Sequence, residues 1–181
     1  IYNTLSGQKE DLDKALGGSK KIHLFVCGPT VYDYIQIGNA RTYCAFDTIV
    51  RYLRDRRLDV LYLQNVTDIE DKIIRRASEQ GMLPKKLAKT YEKAYREDER
   101  QLNITSVTKY APATHYIKEI ARQVQILIDK GHAYKIEGDG YYFDISTFPD
   151  YGKLARRTAL QAEDAVSRID ESMNKKNKGD F

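Results

Sequence analysis

Residues 26–41 read VCGPTVYDYIQIGNAR, and they gather more groups able to do chemistry than any other stretch of the chain. Cys27 supplies a thiol, Gly28-Pro29 a tight turn, Tyr32 and Asp33 a phenol and a carboxylate, and Gly38-Asn39 a bare backbone beside a polar side chain. A strand that ends in such a loop and runs into a helix has the parts of an anion site. Loop glycines let the backbone approach a ligand, and the first-turn N–H groups with the helix dipole favour negative charge. Gly38 is placed for that approach, so a nucleotide phosphate is the ligand the stretch suggests. A plainer role also fits, in which Gly38 turns the chain and Asn39 caps the helix; the spacing alone leaves both open. Neither a Walker A pattern nor G-x-G-x-x-G is present, which excludes those two phosphate loops.

Periodicity supplies the elements that must hold this loop. Ile22 to Val26 (IHLFV) reads as a short strand, bounded by Gly17-Gly18 and by Cys27-Gly28-Pro29. From Asn39 to about Arg56 the apolar residues Tyr43, Phe46, Val50 and Leu53 recur at helical steps. Asp59 to Val66 is a second strand. Strand, helix, strand in so short a span predicts a βαβ unit with parallel strands. Thr67 and Glu70 stand at capping-box spacing ahead of a helix with Ile69, Ile73, Ile74 and Ala77 as its stripe and Gly81 as its stop. Pro84 opens a further helix to about Leu102. A longer one is expected over Ala113 to Lys130, with Ile117, Ile120, Val124, Leu127 and Ile128 inward. The period then drops to two: Ala133 to Glu137 and Tyr141 to Ile145 flank Gly138-Asp139-Gly140, a hairpin signal. From Gln161 onward apolar content collapses, and loop or disordered tail is expected.

The bulk composition sets outer limits. With 181 residues, 41% apolar and 31% charged, the chain can bury a core without metal or disulfide support, and no run approaches the roughly 20 apolar residues of a membrane span. No secretory leader opens the sequence, so a cytoplasmic location without a membrane partner is the expectation. Two cysteines, Cys27 and Cys44, are too few for a disulfide framework, and Cys44 falls within the first helix. The net charge of +4 permits an RNA partner without requiring one. A start at Ile1 and a close on NKKNKGDF read as a piece of something longer.

CGPTVYDYIQIGNARTYCAFD closely resembles the signature region of the cysteinyl-tRNA synthetases, a family of the class I synthetase group. YNTLS near the start, LYLQNVTDIEDKII after the second strand and YFDISTFPDYGKL after the hairpin stand in that family's order. The resemblance implies an α/β fold, with a Rossmann-like nucleotide-binding half built on a parallel βαβ sheet and a helix-and-hairpin connective-peptide insertion. Residues 1–110 would be the N-terminal half of the catalytic domain, 111–160 the start of the insertion, and 161–181 loop or tail. It also implies ATP-dependent activation of L-cysteine, with Mg accompanying ATP, and transfer to tRNA(Cys), this chain being the N-terminal part and inactive alone. Two alternatives stay open: a related cysteine ligase of mycothiol synthesis, and a non-catalytic RNA- or protein-binding module.

Carried over by position, the resemblance makes Pro29, Thr30, Tyr32, Asp33, Gln36, Gly38 and Asn39 the ATP-binding set, with Gln36, Gly38 and Asn39 closest to the chemistry. Cys27, Gly28 and Thr67 line the cysteine pocket, and Cys27 is a zinc ligand in the full-length enzyme. A thiolate suits zinc, and zinc selects sulfur over oxygen. The family's other zinc ligands have no counterpart here: His23, His115 and His132 stand elsewhere, and one thiolate makes no tight site. Asp68, Glu70 and Asp71 read as dipole compensation at a helix start rather than a hard-metal site. Gln36 occupies the place of the family's first histidine. Glutamine donates a neutral hydrogen bond but cannot become cationic, which leaves a tolerated variant, an altered residue or a weakened enzyme. The family's lysine-bearing second signature is absent. Lys118 and Arg122 are candidates for phosphate contacts or for a solvated helix face.

Overall fold

The computed structural model describes residues 1–156 and 174–181. These divide into two compact units, Leu16–Ile117 and Ile1–Ala15 with Lys118–Phe181. The chain opens with a small antiparallel pair, β1 (Tyr2–Asn3) and β2 (Gln8–Lys9), and a short helix α1 (Leu12–Leu16).

In the Leu16–Ile117 unit, β3 (Lys21–Val26), α2 (Ile37–Asp55) and β4 (Asp59–Val66) make the expected βαβ unit. The two strands are parallel, in register from Lys21↔Asp59 to Val26↔Gln64. Helices α3 (Asp71–Glu79) and α4 (Pro84–Gln101) follow, and then a third strand, β5 (Lys109–Pro112), pairs parallel with β4 from Leu63↔Lys109 to Val66↔Pro112. The sheet order is β3-β4-β5. β5 escaped the sequence reading because its four residues, closed by Pro112, are too short to show a period.

Alternation along β4 sorts the sheet's two faces. Val60, Tyr62, Gln64 and Val66 are buried, and Val66 packs in a core with Tyr43 of α2, Ile73 of α3 and Leu87 and Tyr95 of α4. On the other face Phe25 and Leu61 are exposed. Two clasps fix β5's approach. Asp47 of α2 accepts hydrogen bonds from the Thr105 and Ser106 amides at 2.9 and 2.8 Å, while the Thr108 hydroxyl receives the Tyr62 amide and an Arg54 guanidinium N–H.

Several expectations shift. Helix α2 begins at Ile37, so Gly38 and Asn39 lie within its first turn and Gln36 is the N-cap. Thr67 does not cap α3; Glu70 does, its carboxylate accepting from the Lys72 amide at 3.3 Å. Thr67 instead extends β4 by a parallel bridge to Thr30. On α3 only Ile73 and Ala77 are buried, whereas Ile69 and Ile74 face solvent.

The helix expected over Ala113–Lys130 resolves into a 3₁₀ turn (Ala113–Tyr116), which still belongs to the Leu16–Ile117 unit, and α5 (Ile117–Asp129), which from Lys118 onward belongs to the other. No residue of α5 is buried, and Ile117 and Ile120 are exposed rather than inward. β6 (Ala133–Ile136) and β7 (Gly140–Phe143) form the hairpin, with Gly138 at φ 77° in its turn; Ile145 belongs to a following 3₁₀ turn. Of the stretch expected as loop or tail, 161–173 lies outside the described residues. Residues 174–181 are loop, but packed loop: Asp180 is fully buried and accepts from the Tyr134 hydroxyl at 2.7 Å and from the Ile145 and Asn177 amides at 3.0 Å.

Candidate active site

The loop from Cys27 to Gln36 leaves β3 and is fastened to the end of β4. The Gly28 amide donates to Asn65 Oδ1 at 2.8 Å, the Thr67 amide to the Pro29 carbonyl at 3.0 Å and the Val31 amide to the Thr67 carbonyl at 3.1 Å. A Cβ on Gly28 would stand 1.8 Å from the Asn65 carbonyl oxygen. That is closer than any side chain permits, so the glycine is what lets loop and strand meet. Asn65 also donates from Nδ2 to the Thr67 hydroxyl at 3.3 Å. One amide side chain thus ties Gly28 to Thr67, the two residues assigned with Cys27 to the cysteine pocket.

Farther along the loop, Val31 is buried and anchors the turn, while Tyr32 and Tyr34 are exposed. Asp33 pairs with Arg76 of α3 at 2.8 Å, and Tyr34 packs edge-on against Tyr91 of α4 at 5.2 Å between ring centroids. Arg76 makes a second, longer contact with Glu79 at 3.4 Å. Its hydrogen bonds to Glu79 and Asp33, with their two charges, hold the guanidinium pKa above its ordinary value. The loop is therefore strapped across the α3–α4 pair, and Tyr32, Asp33, Lys72, Arg75, Arg76 and Glu79 line a cleft of about 420 Å³.

At the helix start the protein is open. Asn39 Oδ1 receives the Gln36 amide at 3.3 Å, and the Asn39 and Ala40 amides turn back to the Gln36 carbonyl at 2.9 and 3.2 Å. The amides of Ile37 and Gly38 precede these bonds. A Cβ on Gly38 would meet nothing within 4 Å, and Ile37 is 87% exposed. Among the described residues nothing requires glycine at position 38, although an unneeded glycine inside a helix costs about 0.5–1 kcal/mol. The arrangement can receive an anion at the α2 N-terminus without a steric barrier.

Below the loop, the Tyr95 hydroxyl sits 2.7 Å from both Gln64 Oε1 and Glu99 Oε1, and the Tyr110 hydroxyl donates to Glu99 Oε2 at 2.7 Å. Burial pushes Glu99's carboxyl up, against the lowering pull of the two tyrosine hydroxyls and Arg96. One hydroxyl proton cannot serve two acceptors, and the buried Gln64 Nε2 has no partner among the described residues; with the Gln64 amide turned over, Nε2 donates to Tyr95, which donates to Glu99. Burial likewise pushes the phenols of Tyr43 and Tyr62 up to about 12, so both stay neutral near pH 7.

Metal chemistry needs a donor set. Structural zinc takes four ligands and catalytic zinc three with an open position. Among the described residues no three His, Cys, Asp or Glu side chains gather; Cys27 is an exposed free thiol and Cys44 a half-buried one against the core. The donors present do not fit a zinc centre. Asp68 and Glu70 are engaged elsewhere, Asp68 with the amide and hydroxyl of Thr114 and Glu70 with the α3 cap. Asn65 is the residue that sequence reasoning missed. Its signal was a lone asparagine near the end of an apolar strand, a position a strand seldom gives to a polar side chain unless it is used.

Comparison with known proteins gives this geometry a context. A family model described as the class I (C) tRNA synthetase catalytic domain matches residues 14–181. The chain is similar to the cysteine–tRNA ligases of Thermoplasma volcanium (43% identity over all of this chain), Lactobacillus gasseri (46% over 92%) and Thermococcus kodakarensis (44% over all of it). It spans 39%, 35% and 37% of those relatives. Among solved structures, Mycobacterium tuberculosis methionyl-tRNA synthetase in complex with methionyl-adenylate superposes with a TM-score of 0.56, at 19% identity over 71% of this chain and 33% of that one, a likeness of fold. Among the described residues no helix is long and apolar enough to cross a membrane. With the family model matched along nearly its whole length and such relatives above 40% identity, the chain belongs to the class I (C) tRNA synthetase catalytic-domain family.

Proposed function

We propose that the protein carrying this chain is a cytoplasmic cysteine–tRNA ligase, which activates L-cysteine with ATP and joins it to tRNA(Cys), and that this chain contributes one side of the ATP and cysteine sites. The observation that carries the reading is 43% identity to the Thermoplasma volcanium ligase along the entire chain. In activation a cysteine carboxylate oxygen attacks the α-phosphorus of ATP. The new P–O bond forms as the bond to the bridging oxygen breaks, and pyrophosphate leaves with that electron pair.

The chain's own part is to receive and steady negative charge. The α2 N-terminus offers the Ile37 and Gly38 amides and the positive end of its dipole, and the bare Gly38 lets a phosphate reach the backbone. Asn39 holds the turn by accepting the Gln36 amide. Gln36, the cap of α2, would offer a phosphate oxygen a neutral side-chain amide and add no charge. Pro29 and Thr30 fix the loop to β4, and Tyr32 and Asp33 form its outer wall. Gly28 and Thr67, joined by Asn65, shape the amino-acid end. Cys27 is the position where the family pattern places a metal-bound thiolate; with no partner donors among the described residues, no step is assigned to it.

Cysteine-dependent ATP–pyrophosphate exchange by the natural protein that carries this chain tests the reading. Exchange specific for cysteine over serine is the expected result. A folded protein that exchanges with neither would end it.

A further inference from the structure

Arg76 and its neighbours leave an imbalance of charge. In the cleft between the Tyr32–Asp33 turn and α3, the two acids, Asp33 and Glu79, both pair with Arg76. Lys72 and Arg75 line the same cleft and take part in no ion pair among the described residues. Lys72, Arg75, Arg76 and Glu79 follow at the i, i+3, i+4, i+7 spacing that puts side chains on one helix face. The opposite face is pinned by Ile73 and Ala77, at 1% and 0% exposure, so the cations project from a fixed element. Tyr32, 37% exposed, gives the cleft an aromatic wall, and Asp33, held by Arg76, keeps that turn against α3.

A solvated helix face explains loose lysines but not a concave site with an aromatic wall, where Arg76 draws both acids to itself and the three cations leave a net positive charge. Two cations in no ion pair among the described residues, beside an aromatic ring, make a pattern that suits a nucleotide, with phosphate on the charges and base against the ring. We infer that the cleft lined by Tyr32, Lys72 and Arg75 is a phosphate-ester site, separate from the α2 N-terminus, and that it takes a nucleotide phosphate. Its source is either free nucleotide or an RNA strand. The inference deepens the synthetase reading and rests on it only for the choice of probes.

The test uses the natural protein and its K72Q/R75Q variant, with K85Q/K86Q as a control that removes two exposed lysines from α4 without touching the cleft. Circular dichroism checks that each is folded. Two probes are titrated: ATP, and a fluorescein-labelled single-stranded RNA 12-mer at several salt concentrations. The cleft variant is expected to weaken one probe about tenfold while the control leaves it unchanged. Tenfold on RNA, with the log–log salt slope smaller by about 1.4 for two lost phosphate contacts, assigns the site to a strand. Tenfold on ATP with RNA unchanged assigns it to free nucleotide. Binding of both probes unaltered in a folded variant overturns the inference, as does equal weakening by the control pair. Cysteine-dependent exchange by the unmodified protein is read separately, so a failed synthetase reading and a failed cleft give different results.

Discussion

Two glycines ten residues apart divide the Cys27–Asn39 stretch into unlike halves. Gly28 is jammed: the Asn65 carbonyl occupies the space a side chain would need, and two backbone bonds plus the Asn65 side chain close the loop onto β4. Gly38 is bare, with no atom of the described residues within 4 Å of its missing Cβ. The first glycine is explained by the fold. The second is not required by any neighbour among the described residues, and the proposed phosphate contact is the role that would use it. Jammed and bare glycines thus separate the scaffold from the ligand side within one loop.

Substitutions can break this contrast or sharpen it. Gly28→Ala should cost the most, about 3 kcal/mol of unfolding free energy in urea titration, because the added methyl must push back a backbone carbonyl. A cost near zero would mean the strand-end half is slack. Asn65→Ala should cost about 2 kcal/mol by leaving the Gly28 amide without its acceptor, and Asn65→Asp, which keeps the acceptor, should recover part of that. Gly38→Ala should change sign, adding about 0.5–1 kcal/mol of stability while weakening ATP binding; a variant that gained stability and kept its ATP affinity would make Gly38 a mere accident. The mildest effect concerns Glu99, below β4. Its folded pKa is raised by burial, so the native state keeps a proton the unfolded chain loses. Stability is full below the unfolded value near 4.5 and should fall as pH rises through the folded value. Thermal scans should show that slope, and Glu99→Gln should flatten it.

Much of the scaffold half was legible, because β3, α2 and β4 each carry a run long enough to show its period. The helix-start half was legible in type but misplaced by a turn: Asn is a good cap, yet here Gln36 caps and Asn39 reaches back from the third helical position. Thr67 was misassigned for a related reason, since capping-box spacing is satisfied equally well by a residue that a neighbouring loop has drawn into the sheet. Asn65, Arg76 and Asp180 act through partners far along the chain, and no local pattern announces them. The contrast between α4 and α5 makes the point from the other side. Charged α4 buries Leu87, Ala88, Tyr95 and Glu99, while α5, richer in isoleucine, buries nothing. Burial is set by what lies across from a helix, which its own sequence does not state.

The parallel pairing of β3, β4 and β5 has a consequence in time. Its strands come from residues 21–26, 59–66 and 109–112, so every pairing must close a long loop before any hydrogen bond rewards it. The β6–β7 hairpin needs only its own few residues and can form on the microsecond scale. As the chain is synthesised, β4 carries one unpaired edge until Pro112 has emerged. Asp47's hydrogen bonds to the Thr105 and Ser106 amides hold the segment that leads into β5, so a helix carboxylate helps bring the third strand to that edge.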